Sequence, residues 1–157
     1  MFFGAFNVAK GRVHEYFGRA ASGDPTNASI LAVLLKTAEG GATLQKKETL
    51  AQVIAGTSEE CDFTNYSRKL VTVSAPVVQH SLDRQASIMP DVTWALAGGA
   101  LNNTVAMALV CYTPNSTAMT DSTIIPLTFQ TTAVTTDGFD LIMAFGNTLD
   151  GYYWNEA

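Results

Sequence analysis

The stretch Thr104-Val105-Ala106-Met107-Ala108-Leu109-Val110-Cys111-Tyr112 carries no charge and no polar face. A half-exposed strand would alternate apolar with polar side chains. A run that is apolar on both faces predicts a strand at the centre of a sheet, over Thr104–Tyr112. Ser29–Thr37 contains a second run of this kind, Ile30-Leu31-Ala32-Val33-Leu34-Leu35. Its length and its β-branched residues favour a strand buried on both faces, although a short buried helix fits the same pattern.

Downstream of the first run, Thr113–Ser122 reads as a long turn built on Pro114-Asn115 and Asp121. Ile124–Thr135 is predicted as another strand, and Pro126 near its start points to an edge position or a bulge. Asp137-Gly138 is a hairpin signal, predicting that Phe139–Phe145 returns beside that strand. Upstream, Val92-Thr93-Trp94 is a short strand before Ala97-Gly98-Gly99. Tyr66–Val73 is predicted as a strand ended by Pro76, with a polar linker on to Ala86.

The N-terminal part has a different period. In Asn7–Ala21, Val13, Tyr16, Phe17 and Ala20 fall at i, i+3, i+4 and i+7, which predicts a helix. Gly11 weakens its start, and Ser22-Gly23-Asp24-Pro25 ends it. After a turn at Ala38-Glu39-Gly40-Gly41, Thr43–Ala55 is predicted as a second helix. Thr43 would be its N-cap, Leu50, Val53 and Ile54 its inner face, and Lys46, Lys47 and Glu48 its solvated side. Gly56 would be its left-handed C-terminal residue. The order helix, strand, helix, then five strands implies an α+β fold with a mainly antiparallel sheet or sandwich. The 157 residues suit one domain, with residues 1–62 as a helix-strand-helix part and 63–157 as a β-rich part.

Charge divides the chain more sharply than hydropathy does. Residues 1–69 hold eight basic and seven acidic side chains, whereas residues 70–157 hold one basic residue, Arg84, and seven acidic ones. A Lys-poor, Thr-rich surface is what contact with other subunits favours, because Lys and Glu are depleted at interface cores. A β-domain with a Thr-studded outer face is the plainer reading. The formal net charge of -5 argues against a surface that tracks nucleic-acid phosphates. The apolar run near Ser29–Leu35 is too short to span a bilayer, and Met1–Lys10 lacks the order and cleavage segment of a signal peptide.

Residue types that carry chemistry are sparse. His80-Ser81 with Asp83 has the composition of a hydrolase triad, but triad members sit on separate elements, so these residues read as solvated surface. His14, beside Glu15 on the first helix, is expected to be exposed. Cys61 and Cys111 lack zinc-ligand spacing; Cys111 reads as a buried thiol, and a Cys61–Cys111 disulfide is the alternative. Asp137, Asp140 and Asp150 could share a calcium ion but lack EF-hand spacing. Gly40-Gly41 and Gly98-Gly99 are turns and not phosphate loops. No catalytic, cofactor-binding or metal residue is therefore assigned. The aromatic tail Gly151-Tyr152-Tyr153-Trp154 is either a last strand packing home or an anchor for a neighbouring subunit.

Several segments, taken in order, resemble a family of structural proteins of actinobacterial tailed bacteriophages. They are Phe6-Asn7-Val8-Ala9-Lys10-Gly11-Arg12-Val13, Thr49-Leu50-Ala51, Phe63-Thr64-Asn65-Tyr66-Ser67-Arg68-Lys69 and Asp83-Arg84. Met89-Pro90-Asp91-Val92-Thr93-Trp94 with Ala97-Gly98-Gly99, Leu109-Val110-Cys111-Tyr112, Ile125-Pro126-Leu127-Thr128 and Val134-Thr135-Thr136-Asp137-Gly138 complete the set. The tail beyond Leu141 is longer and more aromatic than the family pattern. The resemblance implies a non-enzymatic virion component on the capsid surface: a minor capsid or head decoration protein that binds the major capsid protein and copies of itself, with a trimer favoured. A tail or head–tail connector component is the alternative. It implies no cofactor, no nucleic-acid partner and no membrane.

Overall fold

A computed structural model describes residues 3–145 and the strand at 154–156. The fold is α+β and mostly antiparallel sheet, with three short helices. The elements run β1 (Phe3–Ala5), α1 (Val13–Ser22), β2 (Ser29–Thr37), α2 (Gly41–Leu44), α3 (Leu50–Ile54), β3 (Glu59–Glu60), β4 (Lys69–Val71) and β5 (Val77–Gln79). They continue with β6 (Arg84–Ser87), β7 (Val92–Trp94), β8 (Thr104–Thr113), β9 (Ile125–Thr135), β10 (Leu141–Met143) and β11 (Trp154–Glu156).

The main sheet has the order β1-β9-β8-β2-β3, with β4 also paired to β2. The two doubly apolar runs, β2 and β8, lie side by side in its middle and pair from Ser29↔Thr113 to Leu35↔Met107. Their alternation splits the core into two layers. Ile30, Ala32 and Leu34 of β2 join Ala108, Val110 and Tyr112 of β8 on one face. Leu31, Val33 and Leu35 join Met107, Leu109 and Cys111 on the other. The first face is covered by Val13, Tyr16 and Phe17 of α1 and by Trp94, Leu141 and Met143 of the β7–β10 ribbon. The second is covered by Phe6, Leu44 of α2, Leu50 and Val53 of α3, and Ile124. Both faces are dry, so neither central strand needs a polar side chain.

Helix α1 starts later than predicted. Gly11 takes a positive φ of 74°, and the preceding segment Asn7–Ala9 is a separate 3-10 turn. It ends as expected: Gly23 is left-handed, and its N–H and that of Asp24 donate to the carbonyls of Ala20 and Arg19.

The predicted second helix, Thr43–Ala55, is two helices. Gly40 precedes α2, and Thr49 is the cap that matters, accepting from the Gln52 N–H at 3.3 Å while the Gln52 side chain accepts from the Glu48 N–H at 2.8 Å. The first two N–H groups of α3 donate to the carbonyls of Ile124 and Asp121, so the sheet side dictates its direction. Gly56 does not take the left-handed form. It lies against the Glu39 carboxylate, where a Cβ would collide.

The strand predicted over Tyr66–Val73 contracts to β4, and the expected polar linker holds the β5–β6 hairpin. Pro126 marks a bulge, as the pairing shifts from Val110↔Thr128 to Cys111↔Pro126. The Asp137-Gly138 turn does not close a hairpin onto β9. Strand β10 instead pairs with β7, Leu141 opposite Trp94. One edge of β9 is held by β8 and the other by β1, through Phe3↔Gln130 to Ala5↔Thr128. The chain after Gly138 turns away to the ribbon, where Leu141 and Met143 are buried in the same layer as Val92 and Trp94.

Candidate functional site

The residues with catalytic composition are not assembled. His80 and Ser81 lie on an exposed 3-10 turn, and Asp83 ends it in the left-handed region. Among the described residues no side-chain hydrogen bond joins the three; a backbone bond from the Asp83 N–H to the His80 carbonyl closes the turn. His14 is buried, contrary to expectation: its Nδ1 lies 2.7 Å from Ser87 Oγ, where α1 packs on β6. Asp137 accepts from the Phe139 N–H and Asp140 from the Leu96 N–H, so both carboxylates shape loops. Asp150 and the aromatic segment 151–153 lie outside the described residues, as do the side chains of β11. The backbone of β11 pairs with β6, Trp154 opposite Ser87. Among the described residues no cluster of three or more His, Cys, Asp or Glu is placed to hold a metal, and no helix is long and apolar enough to cross a membrane.

Cys61 and Cys111 are buried free thiols. They belong to opposite core layers, so the disulfide alternative does not form. Burial pushes the Cys61 thiol up to about 12 and raises that of Cys111 as well. Neither is a thiolate near neutrality, and the native protein is expected to resist a thiol reagent at pH 8, whereas both thiols react in denaturant. Because the folded form holds the Cys61 proton more tightly, this thiol supports stability fully below its unfolded pKa. That support is lost as pH rises from about 9 towards about 12. Urea titrations across that range should show the midpoint falling, less steeply in Cys61→Ala.

The most connected polar cluster is centred on Arg68. Its Nε and Nη2 donate to both oxygens of Glu60 at 2.9 and 2.8 Å, and Nη1 donates to Asp121 Oδ1 at 2.5 Å. The Tyr66 hydroxyl also donates to Glu60, at 2.8 Å, and receives the Leu34 N–H at 3.1 Å. It thereby supplies an acceptor on β2 between the short neighbours β3 and β4. The cluster ties β3, the approach to β4 and the Asp121 turn together. Each of its charged groups has a partner within the molecule, two carboxylates sharing one guanidinium, and the bonds hold these segments together.

A different feature faces outward. On the β7–β10 ribbon, Val92, Trp94, Leu141 and Met143 are buried, while Ile142 is 62% exposed. Just past the ribbon's end, Leu96 is 62% and Phe139 75% exposed. Their loops are bound to each other. The Ala97 N–H donates to the Phe139 carbonyl at 2.9 Å, and the Gly138 N–H donates to the Ala97 carbonyl at 2.7 Å. The Leu96 carbonyl accepts from Asn65 Nδ2 at 2.9 Å, and its N–H donates to Asp140 Oδ1 at 2.9 Å. Leu96 is held at a φ of 48°, a region that costs a non-glycine residue about 1–3 kcal/mol and persists where the surroundings over-determine it. Gly98, at φ 92°, leaves room for Asn102 and Thr136, which a Cβ would strike.

The loops thus present two large apolar side chains on a hydrogen-bonded backbone, an arrangement that suits interface anchors. Sequence reading did not single out Leu96 or Phe139. The available signal was an aromatic residue directly after a turn dipeptide, in a segment without basic residues. A second exposed apolar group, Val77, Val78 and Leu82, lies on the β5–β6 hairpin.

The chain matches no protein-family model, and no curated protein and no solved structure shows significant similarity to it.

Proposed function

We propose that this chain is a bacteriophage virion structural protein, a capsid decoration or minor capsid protein that binds the major capsid lattice and copies of itself without performing chemistry. The observation that carries the reading is the exposure of Leu96, Phe139 and Ile142 together on hydrogen-bonded backbone in the charge-poor part of the chain. Single exposed apolar residues are ordinary, but large apolar side chains gathered on one outer face and bordered by polar residues are the kind of surface that marks interaction sites. The ordered sequence segments supply the kind of partner. A decoration protein must keep its shape while the shell changes around it. A core filled on both sides of one sheet suits that requirement.

The test is made on purified virions. Band quantification should give a high copy number, and electron cryomicroscopy should find the chain on the outside of the head. A few copies in a ring at the head–tail junction or along the tail would favour the connector or tail reading. Absence from the particle would reject both.

A further inference from the structure

The β7–β10 ribbon and its two linked loops carry a second level of information, namely which chemistry the partner must have. Residues 88–103 and 132–145 contain three acidic side chains, Asp91, Asp137 and Asp140, and no lysine or arginine. All three acids are exposed, and two of them flank Phe139 within two positions. Asp91 lies at the far end of β7, so the two loop anchors are bordered by two acidic side chains, Asp137 and Asp140.

A symmetric pair of this chain through this face would set Asp137 and Asp140 against their own copies, which like-charge repulsion disfavours. The chain's own cations offer a poor complement elsewhere, because many are already engaged. Arg12 and Arg19 pair with Glu15, Lys36 with Asp62, Lys47 with Glu39, and Arg68 with Glu60 and Asp121. Lys10, Lys46 and Lys69 lie outside the anchor segments, in a part of the chain that carries seven acidic side chains of its own, so a more basic surface on another protein is the better complement.

We propose that Leu96 and Phe139, with Ile142 beside them on the ribbon, dock into an apolar recess rimmed by Lys and Arg on a neighbouring shell protein of a different kind. This rests on the virion reading above and deepens it. The occupant accepts the two loop anchors as knobs, and its cations meet Asp137 and Asp140. Because the backbones of both loops are already held by hydrogen bonds, little loop freedom remains to be lost on contact, and the ordering cost falls on the side chains alone. Opposite charges at the rim speed encounter and make binding salt-dependent, while the apolar anchors set the residence time.

The experiment adds the purified full-length chain to purified heads that lack it and measures retention by sedimentation at low and at raised salt. The variants are a Leu96→Asn, Phe139→Ser double substitution and an Asp137→Asn, Asp140→Asn pair. Asparagine retains the side-chain carbonyl that accepts the loop N–H groups. Since Leu96 and Phe139 are exposed and asparagine tolerates the left-handed region better than leucine, the first variant should melt no lower than the parent.

The expected result is a loss of retention of at least about tenfold for the first variant. For the second, a severalfold loss at low salt should fade as salt rises. Retention of the double variant equal to the parent overturns the docking face. So does a double variant that binds heads normally but loses self-association of the isolated chain in the ultracentrifuge, since the occupant would then be a second copy. If the parent chain itself neither occurs in virions nor binds heads, the virion reading fails and the docking face with it. The parent alone reports on the function, and the ratio of variant to parent reports on the face.

Discussion

Trp94→Ala is expected to lower stability by about 4 kcal/mol, within the usual range for truncating a buried aromatic residue. Trp94 is fully buried and is one of the largest enclosed side chains in the molecule. It stands on β7 opposite Leu141 and helps seal the layer that contains Met89, Val92 and Met143. Its indole N–H also donates to the Ser67 carbonyl at 2.8 Å, joining the ribbon to the segment before β4. Truncation removes the packing, leaves a cavity and strands that carbonyl. Trp94→Phe separates the terms: it keeps most of the volume and should cost about 1–2 kcal/mol more than its lost area alone. Chemical denaturation of the two variants checks the pair. For a chain of this length about 4 kcal/mol corresponds to a fall in Tm of roughly 8–16 °C. A loss near 1 kcal/mol in the alanine variant would mean that the ribbon is only loosely attached to the main sheet.

Arg68→Ala is expected to cost about 3 kcal/mol or more, because it leaves the paired Glu60 carboxylate without its counterion. The Arg68 and Glu60 side chains are only 19% and 20% exposed, so water compensates poorly. Two further variants distinguish this from loss of packing. Arg68→Lys should recover only part of the loss, since an ammonium cannot reproduce the two parallel bonds to Glu60 together with the one to Asp121. Adding Glu60→Gln to Arg68→Ala should restore about 1 kcal/mol or more by removing the stranded charge, and a double-mutant cycle measures that coupling. Additive losses would show that the cluster contributes only as surface ion pairs do. The Asp121 turn supplies the carbonyl that receives the Ala51 N–H of α3, so the damage should spread to that helix and raise hydrogen exchange there.

How much of this was legible depended on whether the deciding interaction was local. The β2 and β8 strands could be read directly, because a strand inside two dry layers is apolar throughout and needs no knowledge of its neighbours. The end of α1 was also legible: Gly23 and Pro25 act through their own backbones. The break between α2 and α3 was not. The residue pattern from Thr43 to Ala55 supports one continuous helix, and only the carbonyls of Asp121 and Ile124, far along the chain, redirect it at Thr49. Asp137-Gly138 is a turn, as its residues require, but it closes no hairpin onto β9: β10 pairs with β7, where Leu141 and Met143 find a buried face, and that face is built by distant segments. His14 sat on the expected helix, yet whether β6 would cover it is a question of packing.

The candidate site shows the same division. Charge depletion over residues 70–157 could be counted, and it pointed to contact with other proteins. The anchors themselves could not be picked out, because a leucine or phenylalanine reads as core by default and its exposure is a property of the assembled surface. The sequence alone determined the α+β class, the two central strands and the acidic, lysine-poor character of the second half, since composition and period act through each residue's own chemistry. Tertiary structure alone decided which strand edges were already taken, where the helix broke and which apolar side chains stayed in water, since each of these is settled by competition among distant segments for the same partners.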